Sequence, residues 1–201
     1  MKIYRNILTA FALPLLLGSS VATVNATVFD YTAILDGPSE FPPNASPGTG
    51  FAQVNYDDVA HTLFVDVTFS GLVGTTTASH IHSATAVPGT GAAGVATTTP
   101  TFAGFPLGVT SGTYINTLDL TLASSWNPSY ITASGGTTAG AEAALAAGLA
   151  AGEAYFNIHT TVVPGGEIRG FLEPVPEPSS VGLLALGGGT LAWGARRRKA
   201  A

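Results

Sequence analysis

Cysteine is absent, and basic residues are almost confined to the two ends of the chain. Without cysteine there are no disulfides, no thiol nucleophile and no thiolate metal site. Lys2 and Arg5 open the sequence, Arg196, Arg197, Arg198 and Lys199 close it, and Arg169 is the only basic residue between Thr27 and Val175. Acidic residues run through that interval from Asp30 to Glu173, so the central segment is anionic. A surface of this sign repels phosphate backbones, and no basic stripe exists to offset it, which excludes nucleic acid as a partner. Two catalytic signatures are also missing: no serine sits in a Gly-x-Ser-x-Gly elbow, and no glycine cluster ends in the Lys-Ser/Thr of a phosphate loop.

The ends have the pattern of addresses. Lys2 and Arg5 precede an apolar stretch from Ile7 to Leu17, and Val24-Asn25-Ala26 supplies small residues for cleavage. This three-part order predicts a signal peptide over residues 1–26, because its apolar run is shorter than the ~20 residues of a bilayer span. At the other end, Pro176-Glu177-Pro178 lies in a linker over residues 174–180. Residues 181–201 follow as an apolar, Gly-rich segment with a basic tip. That order predicts a hydrophobic helix held in the membrane before processing, its basic tip retained on the cytoplasmic side.

Between the two ends, residues 27–173 are long enough to form one domain with its own core. Period-two alternation dominates. Phe29, Tyr31, Ala33 and Leu35 share one face, as do Ala52, Val54 and Tyr56, and then Leu63, Val65, Val67 and Phe69. Asp57 and Asp58 suit a hairpin turn, and Pro164-Gly165-Gly166 suits a second. Residues 83–112, rich in Gly, Pro, Ala and Thr, predict long irregular connections, whereas Ala139 to Ala151 has a helix-compatible composition. The expected fold is mostly β: an antiparallel β-sandwich of two facing sheets with one short helix.

Several phrases, in order, resemble a known domain: Leu35-Asp36-Gly37-Pro38-Ser39-Glu40-Phe41, Phe69-Ser70-Gly71-Leu72, Ser79-His80-Ile81-His82, Tyr155-Phe156-Asn157-Ile158-His159-Thr160 and Gly166-Glu167-Ile168-Arg169-Gly170. Together they resemble the CHRD domain over roughly residues 28–172, which implies an extracellular β-rich module. The tail resembles the PEP-CTERM sorting signal, which implies processing by an exosortase-like membrane enzyme and delivery to the cell surface or extracellular matrix.

The same phrases carry a chemical pattern. In a strand His80 and His82 point to one side with Ile81 opposite; Asn157 and His159 share a side, as do Glu167 and Arg169. If these strands are neighbours, Ile81, Phe156, Ile158 and Ile168 enter the core and the polar groups form one cluster. Two readings of that cluster stay open. His80, His82 and His159 have the donor chemistry for Zn²⁺ or Cu²⁺, serving a metal-dependent redox or hydrolytic enzyme. Alternatively Glu40, Asn157, Glu167 and Arg169 close a structural hydrogen-bonded network with the histidines, Arg169 pairing with Glu40 or Glu167. The His-x-His pair resembles that of Cu/Zn superoxide dismutase, but the chain departs from that pattern in lacking its disulfide cysteines and in having only four histidines, which argues against a bridged copper–zinc pair. The sequence therefore favours an exported surface or matrix module that is not an enzyme and that contacts protein or polysaccharide, with metal chemistry as the alternative.

Overall fold

The computed structural model describes residues 28–176; the signal peptide and the hydrophobic sorting helix expected at the two ends lie outside the described residues. Eight strands form: β1 (Val28–Asp36), β2 (Thr49–Asp57), β3 (Thr62–Ser70), β4 (Thr76–His82), β5 (Gly112–Asp119), β6 (Tyr155–Thr160), β7 (Ile168–Phe171) and the two-residue β8 (Glu173–Pro174). They belong to one antiparallel sheet in the order β4-β6-β7-β1-β2-β3-β5, with β8 added beside β1. The two-sheet sandwich expected from the sequence is therefore corrected to a single curled sheet, a half-barrel. Alternation reports that one face of each strand is buried, but a second sheet and a curled sheet bury that face equally well.

What fills the concave face is irregular chain and helix. Buried Tyr31, Ala33, Leu35, Val54, Val65 and Phe69 line the strands. Phe102 and Trp126, both from connections, join the same core, and Phe102 stacks on Tyr114 and Phe156. The helix expected from composition is α2 (Thr138–Ala150), capped by Thr137, whose side chain accepts from Gly140 N–H. Ala141, Leu145, Gly148 and Leu149 turn its buried stripe into the core, at the spacing of one helical face. A second short helix, α1 (Pro128–Ala133), was not expected: Asn127 caps it and Pro128 starts it, a standard start signal that six residues are too short to support with periodicity. Trp126 donates its ring N–H to Leu120 O and stacks on Tyr130, anchoring the connection into α1.

The junction of β7 with β1 positions everything that follows. Arg169 pairs with Asp36, and a side chain at Gly170 would meet Ile34 O at 2.1 Å, so only glycine allows this approach. Ile81, Phe156, Ile158 and Ile168 all point inward and are fully buried. That leaves the other face of β4, β6 and β7 to the polar side chains.

Candidate metal centre

Strand register assembles the site. On the convex side His80 faces Asn157, which faces Arg169; one step along, His82 faces Tyr155, which faces Phe171; and Ala78 lies opposite His159. The loop between β4 and β5 folds back over these rows, and the β6–β7 turn closes their end. His80 and His82 are buried and His159 is partly buried, with one ligand-capable atom of each lying within 4.8 Å of the others.

The ring nitrogens are held in defined roles. His82 Nδ1 lies 2.8 Å from Ala93 O and His159 Nδ1 lies 2.8 Å from Pro164 O. A carbonyl only accepts, so both Nδ1 atoms carry the proton in the neutral rings and both Nε2 atoms present lone pairs. His82 Nε2 is buried and without a hydrogen-bond partner. His80 Nε2 lies 2.9 Å from His159 Nε2, while its own Nδ1 makes no well-aligned hydrogen bond. Three imidazoles with available lone pairs thus gather within 4.8 Å. Ligand nitrogens around a tetrahedral Zn²⁺ at ~2.0–2.1 Å lie about 3.3–3.4 Å apart, so the residues present fit a single ion after small ring rotations.

Burial also keeps these rings neutral. It drives His80 down to about 3, helped by the neighbouring His82 and His159 and opposed by the Pro100 backbone. It drives His82 down to about 4, opposed by the Ala93 carbonyl and reinforced by His159 and Arg169. His159 is lowered by burial as well, against the pull of Pro164.

The other polar residues divide into two groups. Arg169, 3 % exposed, donates from Nε to Ser39 O and from Nη1 to Gly91 O (2.8 Å). Its guanidinium lies 4.6 Å from the Tyr155 ring centre, and Tyr155 in turn stacks on His82 at 4.6 Å. The Glu40 carboxylate is 3.8 Å from Arg169 Nε, too far for the two-pronged pairing that the sequence suggests, because backbone carbonyls take those donors. Burial raises Glu40 to about 7 in spite of the Arg169 charge, the Phe41 N–H and the nearby Asn157 amide. Glu40 and Asn157 sit against Gly166, where φ is +131° and a Cβ would meet both side chains at 2.7 Å.

Glu167 stands apart. It accepts from Ser46 Oγ, Val73 N, Gly74 N and Thr160 Oγ1 at 2.6 to 3.0 Å, tying three segments together without touching Arg169. Burial works against its charge, yet these hydrogen bonds together hold it below the usual carboxylate range. Glu167 lies just before β7, so strict alternation does not govern its direction. The fourth histidine, His61, is at the β2–β3 turn with φ +54° and bonds Glu142 of α2 at 3.0 Å. Sequence reasoning missed Tyr155, Gly91, Ala93 and Pro164: the last three act only through their backbone oxygens, which carry no residue-type signal, and Tyr155 reads as ordinary strand packing.

Comparison with known proteins places these residues in context. The CHRD domain model matches residues 31–172, and the PEP-CTERM protein-sorting motif matches residues 174–199. The second match marks export to the cell surface and processing by an exosortase-family enzyme. No curated protein and no solved structure gives a match. Since the first match spans more than half of the chain and contains every residue of the histidine site, this chain belongs to the CHRD domain family, as an exported surface module.

Proposed function

We propose that the mature domain is a surface or matrix module that contacts protein or polysaccharide and holds one Zn²⁺ or Cu²⁺ on His80, His82 and His159. One observation carries the metal reading: backbone carbonyls occupy Nδ1 of His82 and His159, which leaves the Nε2 atoms of both unprotonated, that of His159 2.9 Å from His80 Nε2 and that of His82 buried without a partner. Carbonyls that fix the tautomer and ring plane are the usual outer support of metal-ligating histidines. Without an ion, the pair of facing Nε2 atoms needs a proton from His80, which leaves its buried Nδ1 bare; with an ion, each Nε2 has a partner.

The presentation of the site supports a surface role. Val175 N–H donates to Asp30 O, and Pro174 pairs with Tyr31, so the chain leaves the sheet toward its sorting tail beside the place where the mature sequence enters it. Arg169 lies beside Asp36, five residues further along β1, or roughly 17 Å away at strand rise, and the histidines of β6 and β4 lie beyond it in the sheet order. While the tail holds the protein transiently in the membrane, its attachment lies by the start of β1 and Arg169 lies by the other end of that strand.

Titration calorimetry of the exported protein, prepared without a histidine-rich tag, tests this. The expected result is one Zn²⁺ or Cu²⁺ per chain, lost in His82→Ala and in the less buried His159→Ala. Failure of the native protein to bind stoichiometrically would leave the structural network as the better account.

A further inference from the structure

The metal reading above leads to a further inference about what else the ion holds: we propose that the site keeps one coordination position open and fills it with a small anion from solution through a single oxygen or nitrogen atom. Two features carry this. The group of potential ligands is limited to three imidazoles, with no fourth His, Cys or carboxylate joining it among the described residues. His61 is committed to Glu142 at the β2–β3 turn, and cysteine is absent from the chain. Sites with three protein ligands are the open kind, whereas closed structural sites have four.

The second feature is charge. Three neutral imidazoles leave a divalent ion with its full charge in a largely buried position. Arg169 is itself a cation, and the Glu40 carboxylate lies 3.8 Å from Arg169 rather than among the histidines, so neither compensates the ion. Holding an uncompensated dication away from water is unfavourable, and an anionic fourth ligand relieves it. Access is one-sided. The chain around Ala93 lies over His82, and the Pro164 turn holds the Nδ1 side of His159, but His159 itself is only partly buried, so a ligand of a few atoms reaches the ion along that ring. Asn157 is the one internal competitor. Its Oδ1 is buried without a partner, but the side chain rests against Gly166, next to Glu40, and a neutral amide leaves the charge uncompensated.

Azide added to the Cu²⁺-loaded exported protein is the test, read by optical absorption and electron paramagnetic resonance. A saturable azide-to-copper charge-transfer band, with one azide per ion and a shifted copper signal, is the expected result. The band should be absent in His82→Ala when Cu²⁺ is supplied at the same concentration. Two outcomes overturn the inference: a native protein that binds Cu²⁺ but shows no azide band and an unchanged copper signal, or a band that persists undiminished in His82→Ala. The first of these leaves metal binding itself intact. Absence of stoichiometric Cu²⁺ binding by the native protein instead removes the metal reading together with its anion.

Discussion

Replacing Arg169 by methionine removes the only basic side chain of the described domain while keeping much of its apolar stem. The change takes the partner from the carbonyls of Ser39 and Gly91, which now accept from the guanidinium in a part-buried setting. A carbonyl left without a partner costs about 1–3 kcal/mol where water is excluded and less where water reaches it, as at exposed Ser39. The stacking of the guanidinium on Tyr155 contributes about 0.5–2 kcal/mol more. Glu40 limits the total: burial already holds it near 7, so on losing Arg169 it takes a proton at neutral pH rather than remaining a bare buried charge. These contributions overlap, and a net loss of about 3–5 kcal/mol is expected, typical of breaking a buried ionic group on one side. Denaturant unfolding of the exported protein, with and without Arg169→Met, measures it. A loss below about 1 kcal/mol would mean that Arg169 behaves as an exposed side chain and that its bonds to the two loops carry no weight.

Acid should destabilise the metal-free protein from about pH 6.5 downward. His80, His82 and His159 have depressed folded-state values, so the unfolded chain binds more protons once pH drops below the ordinary histidine value of about 6.5. Glu40, raised to about 7, works the other way: its contribution is complete below the ordinary carboxylate value and is lost as pH rises through 7. With up to three protons gained by the unfolded chain and one by the folded, the slope between about pH 4.5 and 6.5 is at most about 3 kcal/mol per pH unit. Unfolding curves at stepped pH that are flat across this interval would contradict the burial of the rings. Glu167→Gln should cost about 2–4 kcal/mol, since an amide turns N–H groups toward donors that now share a carboxylate. Melting of that variant within experimental error of the native protein would remove Glu167 from its place as the tie among three segments.

Much of this protein is legible in its sequence because the relevant signals are local. Alternation in β1, β2 and β3 identifies strands and their buried faces, the composition of Ala139 to Ala151 identifies α2, and the inward direction of Ile81, Phe156, Ile158 and Ile168 follows from period two alone. The sequence likewise determines that the domain is acidic, free of cysteine and followed by a PEP-CTERM sorting motif. Tertiary structure decided the rest. One curled sheet replaces the expected sandwich because Phe102, Trp126 and α2 fill the concave face, and nothing in the alternation of a strand records what lies against it. Register brings β4 against β6 and so gathers His80, His82 and His159, although nearly eighty residues separate the first from the last. The tautomers that aim their lone pairs are set by the carbonyls of Ala93 and Pro164, backbone groups that every residue carries, so only the folded chain could assign them this task. Glu167 parts from Arg169 for a related reason: it lies outside the paired strand, where nearby N–H and hydroxyl donors, and not the pleat, direct its carboxylate.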